Sequence, residues 1–137
     1  MPTVKEVLND TKKRLKEQGI DTYSLDSSLL VSEVTGLTKI QLVTHDRDEV
    51  TEEQINRLEN LVKERLKNKP MQYILGHCEF MGLDFKVTEN TLIPRGDTEN
   101  IVEEVIATIE NSGYNTVLDM CTGTGAIAIS VAHYTKA

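Results

Sequence analysis

Apolar side chains recur every three or four positions through the first 70 residues, and beyond Pro70 the spacing falls to two. The first stretch reads as helices. Thr3 and Glu6 form a capping-box signature ahead of Val4, Val7, Leu8, Thr11 and Leu15 on one face, with Gly19 as the stop. A second helix is predicted from Ser24 to about Thr35, with Leu25, Leu29, Leu30 and Val34 inward and Gly36 ending it. A short segment from Thr38 carries Ile40, Leu42 and Val43. Thr51 with Gln54 opens the clearest helix, striped by Ile55, Leu58, Leu61, Val62 and Leu66 and closed by Lys67, Lys69 and Pro70. Short connections predict an antiparallel helical bundle.

After Pro70, Glu79 to Val87 gives two extended stretches around Gly82, the pattern of a β-hairpin with glycine at its turn. Asp97 or Thr98 is placed to cap a helix whose face is Ile101, Val105, Ile106 and Ile109, ending at Gly113. Asn115 to Met120 is a near-continuous apolar run, as expected of a buried parallel strand. A tight loop, Cys121-Thr122-Gly123-Thr124-Gly125, then leads into a helix from Ala126 to about Tyr134. The expected class is α+β: a helical domain over residues 1–70, a linker with a β-hairpin over 71–91, and the start of a Rossmann-like domain over 92–137. The domain boundary should fall close to residues 69–76.

Composition narrows the class without changing this picture. Hydrophobic residues make up 39% and charged residues 27%, ordinary values for a globular protein. No apolar run approaches the roughly 20 residues that cross a bilayer, and the N-terminus lacks a signal-peptide core, so the expected setting is cytoplasmic with no membrane contact. The net charge of −7 is uneven, at −1 over residues 1–70 and −6 over 71–137. An acidic second half argues against direct nucleic-acid binding, which needs a basic stripe to displace counterions. Cys78 and Cys121, joined only by His45, His77 and His133, have no zinc-ligand spacing, so no metal is expected. With no His or other base placed beside them, the two cysteines read as small packing residues rather than nucleophiles.

The chemistry-bearing feature is the succession of strand, Asp119, glycine-rich loop and helix. It is the first βα unit of a Rossmann-like sheet, in which ligands bind beyond the carboxyl ends of the strands. Glycines permit the turn and let a ligand approach the backbone closely. The following helix presents unpaired N–H groups and the positive end of its dipole to a carboxylate or phosphate. Asp119 is placed either to hold an ammonium group or to fix loop amides. A zwitterionic amino-acid moiety needs both kinds of partner, and S-adenosylmethionine carries one. The loop alone is unspecific, since Gly-x-Gly is common in ordinary βα turns. Ala128 satisfies the relaxed dinucleotide fingerprint, which keeps a nicotinamide or flavin site open, whereas the missing Gly-Lys-Ser/Thr excludes a P-loop.

Four blocks in order resemble the HemK/PrmC family of protein-glutamine methyltransferases. Lys69-Pro70-Met71-Gln72-Tyr73-Ile74-Leu75-Gly76 is similar to the family's P-x-Q-Y-I-x-G block, and Phe80 to Val87 resembles its hairpin. Leu92-Ile93-Pro94-Arg95-Gly96-Asp97-Thr98-Glu99 resembles L-I-P-R-P-[DE]-T-E, and Asp119 to Ile129 matches the cofactor loop. Two positions depart: Gly96 stands where the family has proline, and Cys121 where it has the first loop glycine. The first frees a φ angle that proline would fix, and the second puts a Cβ where the turn and the ligand are tight.

The resemblance implies S-adenosyl-L-methionine as cofactor, a glutamine side-chain amide in a peptide chain release factor as substrate, and residues 1–70 as the substrate-docking module. It implies that Cys121, Thr122, Gly123, Thr124 and Gly125 line the cofactor's methionine end with Asp119 just beneath. Pro94, Arg95 and Glu99 would lie near the active-site mouth, while Arg95 and Glu99 read equally as a surface ion pair or helix cap. Gln72 and Tyr73 read as interdomain packing. The family's catalytic Asn-Pro-Pro-Tyr signature and its ribose-binding acid do not occur in the sequence, so no catalytic residue is assigned and the chain reads as an inactive piece of a longer enzyme. Two rival readings remain. One is an amino-methyltransferase acting on nucleic acid, which should show a basic surface. The other is a non-catalytic helical protein-binding domain carrying a residual Rossmann stub. Oligomeric state is open, and an unpaired strand at 115–120 would invite another chain.

Overall fold

A computed structural model describes all residues, Met1–Ala137, and divides them into two compact units, Met1–Leu75 and Gly76–Ala137. The class is α+β, a set of helices with one two-stranded antiparallel sheet. No helix is long and apolar enough to cross a membrane.

The first unit holds α1 (Val4–Glu17), α2 (Tyr23–Thr35), α3 (Lys39–Thr44), α4 (Glu52–Leu66) and α5 (Met71–Leu75). The helix starts follow from side-chain chemistry. Thr3 with Glu6, Thr38 with Gln41 and Thr51 with Gln54 each form a reciprocal capping box, so each helix supplies partners for two amides its own ladder leaves open. The first turn of α1 is further tied down by Val4 N–H to the Asp48 carbonyl and Lys5 N–H to the Asp46 carbonyl, both 2.9 Å. Gly36 ends α2 with φ at 74°, the left-handed conformation that glycine adopts without a Cβ penalty.

α2 is the hub, packing on α1, α3, α4 and α5. Its buried set is Asp26, Ser27, Leu30, Val31 and Val34, which includes Leu30 and Val34 of the expected stripe, and Leu29 packs against the same core. Leu25, expected inside, is 48% exposed, and Val31, not expected, is fully buried. The cause is polar. Asp26 turns inward to meet Arg65 of α4, Nε to Oδ2 at 2.9 Å, with the side chains only 5% and 16% exposed. Thr22 donates its hydroxyl to the same carboxylate oxygen at 2.8 Å, and Arg65 Nη1 donates to the Lys69 carbonyl at 3.0 Å. The short α3 buries Leu42 alone, leaving Ile40 and Val43 in solvent.

The second unit opens with the predicted hairpin, β1 (His77–Phe80) against β2 (Leu83–Lys86), with Phe80 paired to Leu83. Its two-residue turn, Met81-Gly82, has φ of 53° and 74°; positive values at both central positions match the right-handed strand twist. Phe80 and Phe85 point to one face and meet edge to face, 6.2 Å between centroids. A 3₁₀ turn, Gly96–Thr98, leads into α6 (Glu99–Ser112), and α7 spans Ala126–Tyr134. Thr98 stands at the N-cap of α6 but makes no side-chain capping bond, because the 3₁₀ turn already occupies that entry. Val105, Ile106 and Ile109 of the expected stripe are in or against the core, but Ile101 is 57% exposed and Val102 is fully buried in its place. Phe80, Phe85, Val102, Ile109, Ala126 and Val131 form the core of this unit.

Asn115 to Met120 forms no strand, which corrects the sequence-based expectation. The only sheet is β1–β2, and a lone parallel strand has no neighbour to complete its backbone hydrogen bonds. Its apolar residues consequently stay outside, with Leu118 at 81% and Met120 at 74% exposure.

Two stability outcomes are expected. Asp26→Ala leaves the buried Arg65 guanidinium unpaired, and urea unfolding should show a loss of about 3 kcal/mol in the first unit; a loss below about 1 kcal/mol would mean the pair is solvated. Ser130, fully buried on α7, has a hydroxyl with no hydrogen-bond partner. Ser130→Ala should therefore be neutral or raise the melting temperature, since it removes a desolvated polar group of about 1 kcal/mol cost; a clear destabilisation would contradict an unpartnered hydroxyl.

Candidate functional site

The loop ahead of α7 alternates its backbone. Cys121, Gly123 and Gly125 have φ of 57°, 60° and 81°. Gly125 N–H donates to the Thr122 carbonyl at 3.0 Å, closing the turn, and the Gly125 carbonyl accepts from Ile129 N–H at 2.8 Å to start the helix. Gly125 is favoured by its φ of 81°, and a Cβ there would stand 3.0 Å from the mobile end of Ile129, Cδ1. Around Gly123 the space a Cβ would take is open, with nothing within 4 Å. Cys121 adopts the same left-handed region with a side chain, a conformation that carries strain outside glycine.

Asp119 braces this loop. Its Oδ2 accepts from Thr122 Oγ1 at 2.8 Å and from Ala128 N–H, in the first turn of α7, at 3.3 Å. Of the two roles open from sequence, the structure shows the one directed at the loop. No hydrogen bond engages the other carboxylate oxygen.

A half-open cavity of about 200 Å³ lies over the loop. Cys121, Thr122, Gly123 and Thr124 form one wall, Leu92, Ile93, Pro94 and Arg95 another, and Phe80, Thr98, Ala126 and Ile127 complete it. Segments far apart in sequence, around residues 80, 95 and 122, thus meet at one place. Asp119 and Gly125 do not line the cavity; they shape its loop from behind. Arg95 is an exposed guanidinium on the rim, one of three basic residues in the acidic stretch 71–137. Glu99 is absent from the lining; its Oε1 accepts from Met81 N–H at 3.0 Å.

Sequence reasoning passed over two contributors. Phe80, 1% exposed, was legible only as a hairpin residue, because nothing local reveals that it reaches the loop. Tyr134, whose hydroxyl donates to the Met81 carbonyl at 2.6 Å, lies 53 residues from its partner and has no sequence signal.

The two cysteines differ. Cys121 is exposed in the loop, whereas Cys78 on β1 is half-buried, its Sγ within 4.0 Å of the Pro94 carbonyl. Burial first, then the negative charges of Asp84 and Glu79, push the Cys78 thiol up, which keeps it protonated and a poor nucleophile. A larger cavity of about 530 Å³ sits at the C-terminal ends of α6 and α7, lined by Ile109, Tyr114 and the last residues of the chain. Helix C-termini carry the negative end of the dipole, so that cavity disfavours anions.

Comparison with known proteins bears on this arrangement. The family described as the PrmC N-terminal domain matches residues 6–76, just over half of the chain. A release factor glutamine methyltransferase of Clostridium acetobutylicum is 41% identical over 133 residues, covering 97% of this chain and 47% of its own length. The protein of the same name from Geobacter sulfurreducens is 39% identical over 130 residues, covering 95% and 45%. That of Thermodesulfovibrio yellowstonii is 42% identical over 105 residues, covering 74% and 37%. The chain spans about half the length, or less, of the curated relatives it matches. With its capped helices and the junction through Gly76 inside the matched region, this chain belongs to the PrmC N-terminal domain family.

Proposed function

We propose that the chain is the front portion of an S-adenosylmethionine-dependent enzyme that methylates a glutamine side-chain amide of a peptide chain release factor. The observation that carries this reading is the single cavity in which Cys121–Thr124 face Leu92–Arg95. Its volume of about 200 Å³ is below the roughly 300–1,000 Å³ of complete small-ligand pockets, and suits the amino-acid end of the cofactor. Open space at Gly123 allows that end to approach the backbone. The first amides of α7, at Ala126 and Ile127 on the cavity wall, favour its carboxylate, and Asp119 holds the loop in shape behind them. When bound, S-adenosylmethionine supplies the electrophilic methyl of its sulfonium. The residues of this chain bind and orient; they carry no group for the transfer itself.

In this reading residues 1–70 dock the release factor, 71–91 join, and 92–137 begin the cofactor domain. The first unit supports a docking role because its caps and core are self-contained. The names of the relatives point to the same substrate class. The charge of −6 over residues 71–137 weighs against a nucleic-acid substrate.

Titration calorimetry should detect S-adenosylmethionine binding to the 137-residue chain. Gly123→Val, a β-branched residue at φ 60°, should abolish it; undiminished binding by that variant would remove the loop from the site. Extended to the length of its relatives, the protein should transfer labelled methyl to a release-factor glutamine, while residues 1–137 alone transfer none. Label found only in nucleic acid would overturn the substrate assignment. Cys121→Gly relieves the left-handed strain and should stabilise the second unit by about 1 kcal/mol while tightening cofactor binding. Weaker binding by this variant would instead make the thiol a ligand contact.

A further inference from the structure

Met81 occupies the first central position of the hairpin turn with φ at 53°, a conformation that residues with a Cβ adopt at a cost. Both of its backbone polar groups are held by side chains. Its N–H donates to Glu99 Oε1 at 3.0 Å, and its carbonyl accepts from the Tyr134 hydroxyl at 2.6 Å. Glu99 is the first residue of α6, four positions past Arg95, and Tyr134 is the last residue of α7, which starts directly after the loop. Phe80, the residue before Met81, is a wall of the cavity formed with Arg95 and Cys121–Thr124. One turn is therefore bolted to the two helices that carry the other two walls.

We propose that Glu99 and Tyr134 are positioning residues of the cofactor cavity, clamping Met81 so that Phe80 is held against the loop at 121–124. The inference rests on the cofactor reading above only for the identity of the ligand. Glu99 is not a proton acceptor for substrate in this view: it does not line the cavity, and the oxygen engaged with Met81 makes a charge-assisted bond to a backbone amide.

The test uses Glu99→Ala, Glu99→Gln and Tyr134→Phe in the full 137-residue chain, with folding checked by circular dichroism. Three quantities are read: amide exchange at Met81, the iodoacetamide modification rate of Cys121 by peptide mass, and S-adenosylmethionine affinity. Glu99→Ala should speed Met81 exchange and weaken affinity by roughly tenfold each, and should shift the Cys121 rate by roughly threefold or more. Glu99→Gln should restore all three to within roughly threefold of the parent, since an amide oxygen accepts the same bond. Tyr134→Phe should give an intermediate effect with the same signs, and decides the matter if Glu99→Ala does not fold. An unchanged Cys121 rate in both Glu99→Ala and Tyr134→Phe overturns the clamp, as does a Gln variant as impaired as the Ala variant. Absence of cofactor binding by the parent chain would instead overturn the cofactor reading, with Met81 exchange and the Cys121 rate still deciding the clamp.

Discussion

A backbone amide or carbonyl taken out of water must find a partner, and this requirement decides what each stretch of the chain becomes. Helices meet it within themselves except at their ends. α1, α3 and α4 supply the missing partners from Thr3 and Glu6, Thr38 and Gln41, and Thr51 and Gln54. The hairpin meets it by pairing β1 with β2. The apolar run from Asn115 to Met120 meets it nowhere in this chain, and there the sheet-forming composition produces no strand. Hydrophobicity proposes a structure; the backbone account settles it.

The same logic separates what was legible in the sequence from what was not. Capping boxes, glycine stops and the switch of period after Pro70 are local signals, and the helices and hairpin follow them closely. On α2 and α6 three of the four residues expected inward are in or against the core, and the first of each, Leu25 and Ile101, is exposed while Val31 and Val102 are buried instead. In α2 the deciding contact is Asp26 with Arg65, 39 residues apart, and a periodicity of apolar residues counts an aspartate as outward-facing. In α6 Val102 joins Phe80, Ile109 and Ala126 in the core, with Val105 and Ile106 packed against it, so the face runs Val102, Val105, Ile106, Ile109 and only its first member differs from the expected one.

In the candidate site the loop was readable and its surroundings were not. Gly123 and Gly125 stand where positive φ is needed, so their identity announces the turn. Cys121 takes the same backbone region without glycine's freedom, which marks it as a position where the chain tolerates strain. The resemblance to the L-I-P-R block implied an active-site mouth near Pro94, Arg95 and Glu99; in the structure Pro94 and Arg95 line one cavity with the loop. Glu99, drawn from the same block, faces away from that cavity to a backbone amide, a distinction that a motif cannot make.

In a complete Rossmann-like sheet the strand ladder would hold the loop at its carboxyl end. In this structure no strand immediately precedes the loop, and the loop nonetheless has a defined conformation, which comes from elsewhere. Its sources are bonds close to the loop: Asp119 Oδ2 accepts from Thr122 Oγ1 and from the Ala128 amide, and Gly125 N–H donates to the Thr122 carbonyl. Each is worth on the order of 1 kcal/mol net, or somewhat more where a carboxylate accepts. Such bonds are short-range and few, so they fix a turn and a helix start but leave Leu118 and Met120 in solvent. The geometry of the loop and the burial of the apolar run before it are thus separable properties. The first is carried by residues 119–129 themselves, while the run at 115–120 has no strand to pair with.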